Sequence, residues 1–190
     1  MILNCRNKIT FLTDTLIIEQ TSNWINSVVI GCNFCPFAAK TVNKKTVHYF
    51  VLTGADTRKC LETLIRQLHY LDETESIETT FIILPDGFEN FYTYLDLVEK
   101  AEKLLSKEGY DGVYQIASFH PEYCFAGASE TDAANFTNRS IYPMLHILRE
   151  DSITNALENF PDPDEIPQRN IDFAQQKGLE YMRKLRDSCM

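Results

Sequence analysis

The side chains best suited to chemistry in this sequence fall in two segments, 31–40 and 118–150. The first holds Cys32-Asn-Phe-Cys35-Pro36-Phe37, a C-x-x-C spacing shared by redox dithiols and structural zinc sites. Pro36 suits the first position of a short helix from Phe37 to Lys40. Cys35 would then be its N-cap and face free backbone N–H groups, which favour a thiolate. The alternative is a buried structural cysteine, since free cysteine is among the most buried residue types.

In the second segment, Ser118 and His120 share a strand face by period two, and His120 stands at that strand's carboxyl end. A histidine there can serve as general base or orient a thiolate, which makes Cys35 the candidate nucleophile and His120 its candidate base. For that, the turn carrying Cys35 must fold back against the exit of the strand, so that sulfur and imidazole share one cavity. A histidine that merely caps the strand through loop carbonyls is the competing reading. Cys32, Cys35, His120 and Cys124 could also close a tetrahedral zinc site, although no second short-spaced cysteine pair exists. His146 shares a face with Met144 and Leu148, as a core histidine with one hydrogen-bond partner would. Arg139 and Arg149 can hold a carboxylate or phosphate bidentately, or pair with Asp132, Glu130 or Glu150 to pin the loop.

A chain of 190 residues, 44% hydrophobic and 24% charged, reads as one globular domain over 1–190. The net charge of −9 and a pI near 4.9 argue against nucleic acid, which demands clustered Lys and Arg. No apolar run approaches the ~20 residues of a membrane span. Met1–Leu12 lacks the features of a secretory signal, so the expected compartment is the cytoplasm, with cysteines mostly reduced. No feature specifies an oligomeric state.

The elements that must position these residues follow from periodicity. Apolar positions from Ile17 to Val29 predict one amphipathic helix stopped by Gly31. Residues 46–53 predict a strand covered on both faces. Asp56 can cap a helix with Leu61, Leu64, Ile65, Leu68 and Leu71 inward. Phe81–Leu84 predicts the next strand, and a helix with Phe91, Leu95, Val98, Leu104 and Leu105 inward runs to Gly109. Strands over 113–119 and 144–150 follow. Asp151 or Ser152 opens a short helix, and Pro167 opens a final one that buries Ile171, Ala174, Tyr181, Met182 and Leu185. This βαβαβ order, then a last strand, predicts an α/β fold with a mixed, mostly parallel sheet of about four strands flanked by helices. A thioredoxin-like arrangement is the alternative, but its dithiol should follow a strand. The connection from His120 to Pro143 exceeds the usual loop length, and its aromatics favour an ordered, functional excursion at the strand ends where ligands bind.

Gly31-Cys-Asn-Phe-Cys-Pro-Phe-Ala38, Tyr114-Gln-Ile-Ala-Ser-Phe-His-Pro121, Phe125-Ala-Gly127, Asn138-Arg-Ser140, Tyr142-Pro143, His146-Ile-Leu-Arg-Glu150 and Ile166-Pro-Gln-Arg-Asn170 closely resemble the bacterial domain-of-unknown-function family numbered 1415. The resemblance covers nearly the whole chain and implies no activity. Its polar set here is Cys35, His120, Asn138, Arg139, His146, Arg149 and Arg169, whereas Cys32 and Cys124 fall outside its pattern. The chemistry of these residues makes the leading expectation an enzyme acting on a small anionic metabolite through Cys35 and His120, with Asn138, Arg139, His146, Arg149 and Arg169 around the substrate. The alternatives are a non-catalytic small-anion-binding or sensing domain, and a zinc-stabilised interaction module. The leading reading needs no cofactor.

Overall fold

A computed structural model describes residues 12–158 and 160–190; the expectation about Met1–Leu12 thus lies almost wholly outside the described residues. Helix α1 (Asp14–Trp24) begins at Thr13, whose side chain accepts from the Leu16 N–H at 3.2 Å. It widens into a π-helical segment at Ile25–Ile30, so the single helix expected up to Gly31 changes its winding midway. Gly31 is right-handed, with φ −61°. It serves by lacking a Cβ, which would meet the Ser27 carbonyl oxygen at 2.2 Å. Short helix α2 (Ala38–Asn43) and strand β1 (Val47–Val51) follow.

Helix α3 (Thr57–Glu73) is capped by Asp56, which accepts from the Lys59 N–H at 2.8 Å, as expected of that residue type. Its Leu64, Leu68 and Leu71 are fully buried, each contributing roughly 1.5–3 kcal/mol of apolar transfer. Strand β2 (Thr79–Ile83) is buried along its whole length. Helix α4 (Phe91–Lys107) starts at Asn90, whose side chain accepts from Tyr92 and Thr93. Strand β3 (Tyr114–Phe119), a 3-10 turn at Ala133–Thr137, strand β4 (Met144–Arg149) and helix α5 (Glu150–Glu158) come next. The chain ends in α6 (Ile166–Lys177) and α7 (Leu179–Asp187). Gly178, at φ +82°, divides what periodicity predicts as one helix. Beyond this break Met182 stays buried, but Tyr181 turns outward.

The sheet order is β1-β2-β4-β3, with β1 and β2 parallel and β4 antiparallel to both its neighbours. The expectation of a mostly parallel sheet is therefore corrected to a mixed one. β1, β2 and β3 do point the same way, but β4 returns from β3 in hairpin sense and inserts beside β2. Burial explains the order. Met144, Leu145 and Ile147 are fully buried on β4, so this strand needs cover on both faces and both edges. β1, whose residues are all half-buried, belongs at an edge.

Strand alternation divides the interior in two. Ile82, Leu145, Ile147 and Tyr114 face α3 and α4. Phe81, Ile83, Met144 and Phe119 face α1, the π segment and α6–α7. Trp24, fully buried on this second side, packs edge-on against Phe119 and donates its indole N–H to the Arg139 carbonyl at 3.1 Å. No described helix is long and apolar enough to cross a membrane.

Candidate functional site

A cavity of about 320 Å³ lies on the second face, between β4, β3 and the α1–α2 connection, with α5 along its rim. Its walls are mostly apolar, from Trp24, Val29, Phe81, Ala117, Phe119 and Ile153. Cys35 and His146 also line it. Cys35 reaches it from the turn before α2, and that turn is held from α6: Arg169 donates to the Asn33 carbonyl at 2.6 Å, and Asn170 to the Phe34 carbonyl at 2.7 Å. Arg169 is therefore a clamp on the cysteine turn.

His146 enters the cavity because it shares its strand face with Met144 and Leu148. Its ring stacks on Phe81, with centroids 3.8 Å apart and planes 7° from parallel. Nε2 lies 2.6 Å from the Thr79 hydroxyl oxygen, and that hydroxyl is 2.6 Å from the Ile147 carbonyl. A carbonyl can only accept, so the single Thr79 proton goes to Ile147. Thr79 must then accept from His146 Nε2–H, leaving Nδ1 as a bare lone pair without a partner among the described residues. Burial pushes the imidazole pKa down to about 3, so the ring is neutral at ordinary pH. The remaining polar groups in the wall include Glu78, which accepts from Ser152 at 2.6 Å. Thr41 and Gln115 stand in the wall as well, so both donors and acceptors border the apolar space.

His120 lies elsewhere, and the expected pairing with Cys35 fails on geometry. One residue past β3, it falls on the first face, fully buried, with its ring centroid 5.0 Å from that of Tyr94 and 5.2 Å from that of Phe91. Nε2 donates to the Phe88 carbonyl at 2.9 Å, and Nδ1 accepts from the Glu122 N–H at 3.0 Å. Both nitrogens are occupied, and desolvation lowers the pKa. The period-two spacing that puts Ser118 and His120 together also separates His120 from Phe119 and the cavity.

The zinc alternative meets the same division: no group of three or more His, Cys, Asp or Glu side chains among the described residues could hold a metal ion. Nor does the dithiol follow a strand, as a thioredoxin-like site requires, since Cys32 and Cys35 lie ahead of β1. Arg149 borders the cavity, but its guanidinium donates to the carbonyls of Leu71 and Ile77 and to the Tyr114 hydroxyl on the α3 side. Asp72 accepts from that Tyr114 hydroxyl at 2.8 Å. Arg149 is thereby committed to joining the end of α3 to the sheet. Asn138 donates to the Ser118 carbonyl at 3.2 Å and ties the long loop to β3. Arg139 sits in that loop, donating to the carbonyls of Tyr123 and Glu130. Of the seven expected residues, Cys35, His146 and Arg149 line the cavity. Thr79 and Ala117 were missed, because cross-strand register, which local periodicity does not reveal, brings them there.

No curated protein and no solved structure matches the chain. A family model described as "Protein of unknown function (DUF1415)" matches residues 16–184, and the chain belongs to that family.

Proposed function

We propose that this chain binds a small, largely apolar, neutral molecule in the Cys35–His146 cavity, with a hydroxyl or amine of the ligand donating to His146 Nδ1. The observation that carries this reading is the bare Nδ1 of a tautomer locked by Thr79, set in an apolar space of ligand size. An anion is disfavoured there, because Arg149 turns its charge away and an unpaired buried charge is costly. A second reading, thiol catalysis on the bound molecule, is favoured by the position of Cys35 in the same wall. His146, its pKa held near 3 by burial, is too weak a base to abstract a proton at neutral pH, so binding ranks first.

1-Naphthol, two apolar rings bearing one O–H donor, is a direct probe by fluorescence titration. The expected result is saturable 1:1 binding, abolished by Ala117→Phe, which fills the cavity, and weakened about tenfold by His146→Phe, the equivalent of one hydrogen bond. Absence of saturable binding, or binding indifferent to Ala117→Phe, refutes the proposal. Cys35→Ser separates the two readings, since it leaves naphthol affinity intact but eliminates any thiol-dependent turnover.

A further inference from the structure

A second concavity, of about 800 Å³, opens between α7, the N-terminal end of α4 and the 121–131 segment, and it shares no lining residue with the Cys35–His146 cavity. Three arginines line it, Arg139, Arg183 and Arg186. Arg183 and Arg186 are three apart on α7 and so share a helix face. Arg139 and Arg186 lie over one ring, that of Phe136, at 5.0 and 5.3 Å from its centroid. This gathers like charges in a chain whose net charge is −9.

Two of the three arginines lack a close ion pair, although Glu122 acts on Arg139 through space. Arg186 pairs with Asp187 at 2.6 Å. Arg139 and Arg183 have no ion-pair partner among the described residues. Glu122 and Glu130 line the groove too, but it is the backbone carbonyl of Glu130 that accepts from Arg139. The Arg139 pKa is lowered first by burial and then by the charge of Arg186, with a smaller contribution from Arg183, as expected of cations held close together.

Two of the three are also pre-ordered. Arg139 is fixed by the carbonyls of Tyr123 and Glu130, and Arg186 by that of Pro121 at 2.9 Å. A ligand would not have to immobilise them, which removes part of the usual entropic cost of binding. Beside them stand apolar surfaces that the fold leaves uncovered. Tyr92 is 75% and Leu95 38% exposed, Leu95 having been expected inward, and Phe125 completes the wall.

We infer that this groove binds a small phosphorylated molecule, its phosphate on the Arg183 guanidinium and the remaining N–H groups of Arg139, while Arg186 stays paired with Asp187 and Pro121, and its apolar or aromatic body against Tyr92 and Phe125. The Arg183 side chain makes no hydrogen bond or ion pair among the described residues, and a free guanidinium fork matches phosphate oxygens bidentately.

The inference is independent of the cavity reading, and isothermal titration calorimetry at constant ionic strength tests it with phenyl phosphate, inorganic phosphate and chloride. Phenyl phosphate is expected to bind 1:1 and more tightly than inorganic phosphate, with chloride silent. Arg183 and Tyr92 are both exposed, so changes there leave folding intact. Arg183→Glu should weaken both phosphates by at least tenfold, while Tyr92→Ala should remove only the advantage of the phenyl group. Heat no greater than that of chloride, or phosphate affinity unchanged in Arg183→Glu, overturns the proposal. Phenyl phosphate that binds no better than inorganic phosphate overturns the assignment of the apolar body. Naphthol binding in the Arg183→Glu protein should remain at the wild-type value, so failure of one site is distinguishable from failure of the other.

Discussion

Replacing His146 with phenylalanine converts the burial of one imidazole into a pH-dependent stability difference. In the folded protein, desolvation holds the ring at a pKa of about 3; in the unfolded chain an imidazole titrates near 6.5. Above about pH 6.5 both states are neutral and His146 adds no pH dependence. As the pH falls below that value the unfolded chain takes up a proton that the folded chain refuses, and stability is lost at about 1.4 kcal/mol per pH unit until the folded ring titrates near pH 3. From pH 6.5 to pH 5 the loss is about 2 kcal/mol; across the whole window it is on the order of 4 kcal/mol. His146→Phe keeps an aromatic ring against Phe81, and Thr79 keeps the Ile147 carbonyl as its acceptor. Urea unfolding of both proteins from about pH 5 to about pH 8 measures the difference. His48 and His120, whose pKa values are also lowered by burial, are common to both proteins and cancel. The stability of wild type relative to the variant should fall by about 2 kcal/mol between pH 7 and pH 5. A difference that does not change with pH would show that the folded protein protonates His146 as readily as the unfolded chain does, and the neutral-acceptor account of the cavity would fall with it.

Two further changes separate structural from ligand-facing roles. Arg149→Ala removes hydrogen bonds to Leu71, Ile77 and Tyr114 and should cost about 2–4 kcal/mol in denaturant unfolding with naphthol affinity unchanged; a loss of affinity without a loss of stability would reassign it to the ligand. At Gly87 a Cβ would stand 2.6 Å from the Ala55 carbonyl oxygen and φ is +79°, whereas at Gly127, with φ +78°, nothing lies within 4 Å. Gly127→Ala should therefore cost only the conformational penalty, about 1 kcal/mol, and Gly87→Ala clearly more; equal losses of thermal stability would contradict the close approach.

Local signals carried much of the element pattern. The 3.6-residue period marked α3 and α4, Asp56 marked a cap, and unbroken apolar runs marked β1 and β2, because these depend on neighbours within a few positions. Strand order did not follow from them. A βαβαβ pattern is compatible with β3 beside β2, and only the need to bury both faces of Met144–Arg149 places β4 between them. The break at Gly178 was equally invisible, since the apolar period continues across it to Met182 while the backbone turns.

The same limit governs the candidate site. Residue chemistry alone singled out Cys35, His120, His146 and the arginines, because thiols, imidazoles and guanidinium groups are recognisable wherever they occur. Which of them share a space was decided by pleat and register. Alternation sends His120 to one face of the sheet and His146 to the other, and the pairing of β2 with β4 sets Thr79 beside His146 so that a single hydroxyl proton determines the tautomer. Arg139 meets Arg183 and Arg186 only when α7 packs beside the long loop, a contact between segments more than forty residues apart that no local periodicity encodes.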